Sequence, residues 1–156
     1  MIEIKNIAEC PQHIETICRW HHNEWAHLNP GRPLENRFEE MQEHLDGKLV
    51  PATFVAVEEN KPVGSASILR CDMDIRSELT PWLASVYVLA DWRHRGIGRA
   101  LVQKIMSHAK EGGIKKLYLY TPDKEHFYRH MGWQTIEKLV YHDTPVTIME
   151  IDFNHK

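Results

Sequence analysis

The residues with the most readable chemistry form the run Arg93-His94-Arg95-Gly96-Ile97-Gly98. Its two glycines let the backbone approach a ligand closely and adopt φ values that other residues avoid. Apolar residues at helical spacing follow, so the run reads as a turn that opens a helix. The first N–H groups of a helix have no intrahelical partner, and the helix dipole favours an anion beside them. Backbone donors together with the side chains of Arg93, His94 and Arg95 suit a pyrophosphate. The run alone also fits an ordinary strand-to-helix turn with surface arginines. It is not a Walker loop, because no GxxxxGK[ST] occurs in the chain, nor a dinucleotide fingerprint, because the third glycine position is Leu101.

Other reactive side chains point less clearly. His21, Glu24 and His27 lie three apart, whereas the HExxH zinc motif needs histidines four apart, so no metal site is expected. Cys10, Cys18 and Cys71 are odd in number, widely spaced and without a CxxC pair. That argues against a disulfide framework and for a reducing, cytoplasmic setting. No Cys–His–acid pattern accompanies them, so a cysteine nucleophile is not indicated.

These residues need a scaffold. A chain of 156 residues with 42% hydrophobic content suits one domain over residues 1–156 with a true core. A formal charge of −3 supplies no broad basic field, so no nucleic-acid partner is expected. The N-terminal MIEIKNIAEC has no long apolar run, so neither a secretory signal nor a membrane span is expected.

Residues 2–8 alternate and read as a first strand. Pro11 then starts a helix carrying Ile14, Ile17, Cys18, His21, Trp25 and Leu28, which Asn29-Pro30-Gly31 stops. Leu34, Phe38, Met41 and Leu45 mark a second helix capped by Gly47. Residues 53–58 and 63–71 read as a hairpin around a turn at 59–62, and residues 81–88 as a buried strand. A helix follows with Ile97, Leu101 and Ile105 on one face, widened by Ala100, Val102 and Met106. Next come a strand at 116–120 and a short helix with Thr121 as cap and Pro122 at its first position. Residues 134–141 and 146–153 close the chain as a hairpin around 142–145. The class is α/β: a mixed sheet of about seven strands flanked by about four helices, with room for one parallel crossover between 81–88 and 116–120.

In this setting the sequence resembles the GCN5-related N-acetyltransferases, the GNAT superfamily. Arg93-x-x-Gly96-x-Gly98 matches that family's [Q/R]-x-x-G-x-[G/A] motif, and Ser85-Val86-Tyr87-Val88 looks like its central fourth strand. Phe127-Tyr128-Arg129-His130-Met131-Gly132-Trp133 is similar to its FYxxxGF segment, and the element order agrees from residue 2 to 153. The resemblance implies acetyl-CoA as co-substrate. Arg93, His94, Arg95, Gly96, Ile97, Gly98, Arg99 and Ala100 would hold the CoA pyrophosphate, chiefly through N–H groups from Arg95 to Ala100. Val86, Tyr87 and Val88 would lie along the pantetheine arm and thioester, in the gap where the family's fourth and fifth strands splay apart. Backbone donors near Val88 would stabilise the oxyanion, and Tyr128 would give its proton to the CoA thiolate. Many relatives carry an asparagine seven residues before that tyrosine. Here Thr121 stands there, so that role is not carried over.

The resemblance also places the acceptor end. Trp25 would face the acceptor or pack in the core. Asp72, Asp74 and Glu78 would attract a cationic amine and, directly or through water, take its proton, or form an ordinary solvated loop. Tyr141 and His142 lie near the last turn on the acceptor side. An enzyme acetylating a primary amine is the leading reading, and a non-catalytic acyl-CoA sensor on the same fold is the alternative. The acceptor is not legible, and either a monomer or a homodimer fits.

Overall fold

The strand Ala52–Glu58 (β2) is buried along almost its whole length, which requires cover on both faces of the sheet. Its alternate residues divide accordingly. Phe54 and Ala56 pack with Leu101, Val102 and Ile105, whereas Val55 and Val57 pack with Ile17, Cys18 and Met41. The computed structural model describes residues 1–25 and 33–154. Around β2 lie β1 (Glu3–Asn6), β3 (Lys61–Leu69), β4 (Trp82–Val88), β5 (Lys116–Thr121), β6 (Gln134–Tyr141) and β7 (Thr144–Asp152). The helices are α1 (Ile14–Trp25), α2 (Leu34–Met41), α3 (Ile97–Glu111) and α4 (Glu125–Arg129). One seven-stranded sheet results, in the order β1-β2-β3-β4-β5-β7-β6. All neighbours are antiparallel except β4 and β5, which run parallel. Helices α1 and α2 cover one face, and α3 and α4 the other.

The expected α/β class and element order hold, and the boundaries shift for local reasons. The first strand stops at Asn6 because its side chain accepts the Ala8 N–H at 3.0 Å while Glu9 accepts the Asn6 N–H at 3.3 Å. This capping box turns residues 7–9 into a 3-10 helix. Pro11 opens a second 3-10 turn and α1 begins only at Ile14. Leu28 and the stop at Asn29-Pro30-Gly31 lie outside the described residues. The second helix passes into 3-10 geometry after Met41 and ends at Gly47, φ +70°.

Both hairpins are tighter than the sequence suggests. Glu59-Asn60 and His142-Asp143 all have positive φ, between 47° and 67°. They make two-residue turns whose twist matches that of the strands. Pro62 and Pro145 therefore sit in strands, opposite Val57 and Val140. Pro122 does not begin a helix. Thr121 ends β5, its hydroxyl accepts the Lys124 N–H at 3.0 Å, and α4 starts at Glu125.

The feature that makes a cleft is a bulge in β4. Ser65 pairs with Tyr87 and Ser67 with Ala84, so β4 carries one extra residue. Ser85 lies in the left-handed region, φ +56°. On its other side β4 pairs with β5 only at Trp82–Tyr118, and the two strands then diverge. The divergence expected from the resemblance is present.

Gly64 holds α3 against this region. A Cβ at Gly64 would lie 2.9 Å from the Tyr87 carbonyl oxygen and 3.2 Å from Leu101 Cδ1. Gly64→Ala is therefore expected to destabilise the fold by about 1–3 kcal/mol through overpacking. A urea midpoint unchanged from wild type would show that the sheet yields freely here.

Candidate active site

Gly96, at φ +82°, precedes α3 as its N-cap. A Cβ there would meet nothing within 4 Å, so backbone conformation rather than crowding selects glycine. The Ala100 N–H already donates to the Gly96 carbonyl at 3.0 Å. The Ala100 amide expected among the phosphate donors is thus committed inside the helix. The N–H groups of Ile97, Gly98 and Arg99 precede the first intrahelical bond. Arg95 stacks its guanidinium 4.8 Å from the centre of the Trp92 ring.

Arg93 reaches back to the strand. Its Nε donates to the Val88 carbonyl at 2.9 Å, and its guanidinium lies 5.8 Å from the centre of the Tyr87 ring. The Leu89 N–H donates to Val63 on the β3 side at 2.9 Å. Antiparallel backbone groups alternate in direction, so those of Val88 face the gap toward β5.

A cleft of about 1040 Å³ runs from this turn through the β4–β5 gap. Of the cofactor-side residues read from the sequence, Val86, Tyr87, Val88, Arg93, His94, Gly96, Ile97, Gly98, Arg99 and Tyr128 line it. The side chains of Arg95 and Ala100 fall outside its lining. Trp25, Asp72 and Tyr141, read as acceptor-side, line its other part. Trp25 is half-buried and meets Tyr87 edge-on at 6.1 Å, so it serves wall and packing at once.

Tyr128 is 8% exposed, between Phe127 at 5.0 Å and Trp133 at 6.1 Å. Burial pushes its phenol above the ordinary tyrosine value, so it is a protonated donor throughout the neutral range. Asp72 is half-buried in the cleft wall, where burial pushes its carboxyl up to about 7.

The sequence matches the profile of the Acetyltransferase (GNAT) family over residues 14–133. The chain belongs to that family. It is 38% identical over 50 residues to N-alpha-acetyltransferase 80 of Mus musculus, which spans 32% of this chain and 16% of that protein. It is 36% identical over 56 residues to an uncharacterized N-acetyltransferase of Chlorobaculum tepidum, 36% of each chain. The chain thus matches these relatives over much less than two thirds of their length. Its fold superposes on Arabidopsis thaliana NAA60, crystallised in complex with acetyl-CoA, with a TM-score of 0.75, 14% identity and coverage of 99% of this chain and 100% of that one.

Several residues of this GNAT cleft escaped the sequence reading. Tyr120 lies on β5 beyond the last β4–β5 pair, 5.4 Å from the Tyr141 ring. Its signal was the Leu-Tyr-Leu-Tyr alternation of residues 117–120, which puts the tyrosines on the face opposite the leucines. Under α1 and α2 runs a buried polar chain. His44 Nδ1 bonds Thr53 Oγ1 at 2.7 Å, Thr53 bonds Ser67 Oγ at 2.7 Å, and His21 Nε2 bonds Ser65 Oγ at 3.3 Å. Burial lowers His21 to about 3 and His44 to about 4, so both are neutral at pH 7. His21 is thereby engaged with β3, and His27 lies outside the described residues. Among the described residues no group of three or more histidines, cysteines or carboxylates is gathered for a metal, and no helix is long and apolar enough to cross a membrane.

Proposed function

We propose that the chain is an acetyl-CoA-dependent N-acetyltransferase that moves acetyl directly to a primary amine. The observation that carries this reading is the meeting, on one cleft, of the open amides at the start of α3 with the β4–β5 gap. The amides of Arg95 to Arg99 hold the CoA pyrophosphate at the positive end of the helix. The pantetheine arm lies along β4 at Val86, Tyr87 and Val88 and carries the thioester into the gap. Backbone N–H groups near Val88 receive the developing oxyanion. The amine attacks from the side walled by Trp25, Asp72 and Tyr141, and Tyr128 protonates the departing thiolate. Cys10, Cys18 and Cys71 are all free thiols, which suits a cytoplasmic enzyme.

A panel of amines assayed for CoA release with acetyl-CoA tests the proposal. Steady turnover with at least one amine is expected. Tight acetyl-CoA binding without turnover across a broad panel would overturn catalysis in favour of an acyl-CoA sensor.

A further inference from the structure

Three carboxylates lie between β3 and β4, and the structure separates them. Glu78 is exposed. Asp74 is also exposed and pairs with His142, Nε2 to Oδ2 at 3.2 Å. Asp72 and Asp74 both line the cleft, but only Asp72 is half-buried in its wall, where burial raises its carboxyl. Its segment is pegged on both sides of Met73. The Cys71 thiol donates to the Met73 carbonyl at 2.9 Å, and the Asp74 N–H donates to the Tyr141 hydroxyl at 2.9 Å. Met73 itself is buried with Trp82, Tyr141 and Ile148. The carboxylate is therefore held by a packed anchor rather than carried on a loose loop.

Asp72 acts on the phenols of Tyr120 from β5 and Tyr141 from β6, and its neighbour Asp74 acts on the same two groups. Asp72 is the strongest charge acting on the Tyr120 phenol. Tyr120 stands two residues past Tyr118, the last β5 residue paired with β4, so it lies where the strands have parted. The surroundings are a carboxylate and two aromatic rings, a combination that attracts an ammonium group.

We propose that Asp72 is the base that removes a proton from the acceptor ammonium before the amine attacks the thioester. This rests on the acetyl-transfer reading above. The ammonium gives one proton to the Asp72 carboxylate, and the freed lone pair forms the N–C bond to the acetyl carbon. The C–S bond then breaks with its electrons on sulfur, and Tyr128 protonates that thiolate. The new amide nitrogen sheds its surplus proton through water, which restores Tyr128, and Asp72 returns its own proton to solvent. The sum is R–NH3⁺ plus acetyl-CoA giving the acetamide, CoA–SH and one H⁺. A carboxyl poised near neutrality accepts a proton far better than one in the ordinary range near 4.

The test compares wild type, Asp72→Asn and, as a neighbour control, Glu78→Gln, with acetyl-CoA and the best amine of the panel between pH 5.5 and 9. Asp72→Asn is expected to lower kcat/KM about 100- to 1,000-fold, to remove the limb that rises through pH 7, and to leave acetyl-CoA affinity within about threefold. Glu78→Gln is expected to match wild type. Thermal unfolding gives a readout independent of turnover. A raised native pKa is a stabilising influence present at low pH and lost as pH rises through about 7. Asp72→Asn does not carry that loss, so its Tm advantage over wild type should widen from pH 4 to 7 by a few degrees, roughly 2–6 °C. A variant turning over within threefold of wild type at every pH overturns the assignment and leaves the acetyltransferase reading intact. A Tm difference that does not change with pH overturns it as well. Failure of wild type on every amine, with acetyl-CoA bound, overturns both.

Discussion

Gly96→Glu is expected to weaken acetyl-CoA binding about 100-fold, close to 2.8 kcal/mol. Two effects add. A side chain at φ +82° costs about 1–2 kcal/mol in backbone strain. The carboxylate would also stand beside the amides of Ile97, Gly98 and Arg99, the proposed pyrophosphate site, and repel the anion. The open space around a Cβ at this position means that the protein itself does not collide with the new side chain. Gly96→Ala separates the two terms, since it keeps the strain and lacks the charge, and its loss should be the smaller. Gly98→Ala is the counterpart. Its Cβ would rest 3.7 Å from Val88 Cγ2, an ordinary contact in a helical position, so affinity should stay near wild type. Calorimetric titration with acetyl-CoA checks all three, and an unchanged Kd for Gly96→Glu would remove this turn as the pyrophosphate site.

Tyr128→Phe is expected to lower kcat about 100-fold, roughly 2.7 kcal/mol of transition-state stabilisation, with little change in KM for acetyl-CoA. Phenylalanine keeps the ring packed between Phe127 and Trp133, so the fold should persist. Only the hydroxyl is lost. Because burial raises the phenol above its ordinary value, wild type should show no loss of this donor up to at least pH 9. The comparison is a full pH profile of kcat for both proteins. Equal profiles would make Tyr128 a packing residue.

The glycine turn before α3 was legible because its parts are consecutive. Basic residues, glycines and the helix start occupy a single run, 93–98, and local spacing specifies local geometry. The α3 face was readable for a related reason: Ile97, Leu101 and Ile105 recur at the helical period and are buried together. Boundaries were less so. The early end of β1 depends on Asn6 and Glu9 bonding back to the chain, and the tight hairpins depend on Glu59-Asn60 and His142-Asp143 adopting positive φ. Asn6 with Glu9, Asn60 and Asp143 are types that favour caps and left-handed turns, but Glu59 is not, and type alone did not fix where the strands would end.

The acceptor side required tertiary structure. Asp72, Asp74 and Glu78 are the same kind of residue within one polar stretch, and nothing in their spacing separates them. Packing of Met73 under Trp82 and Tyr141 half-buries the first in the cleft wall, whereas Asp74 stays exposed at the cleft and Glu78 lies outside its lining. The bulge at Ser85 and the single β4–β5 pair likewise arise from register between strands distant in sequence. By itself the sequence determined the family, the order of elements and the glycine turn that opens α3, because each is written in neighbouring residues or a regular period. Tertiary structure alone decided which carboxylate is buried at the cleft, where the sheet opens and which tyrosines stand around the gap, because burial and register belong to contacts between distant segments.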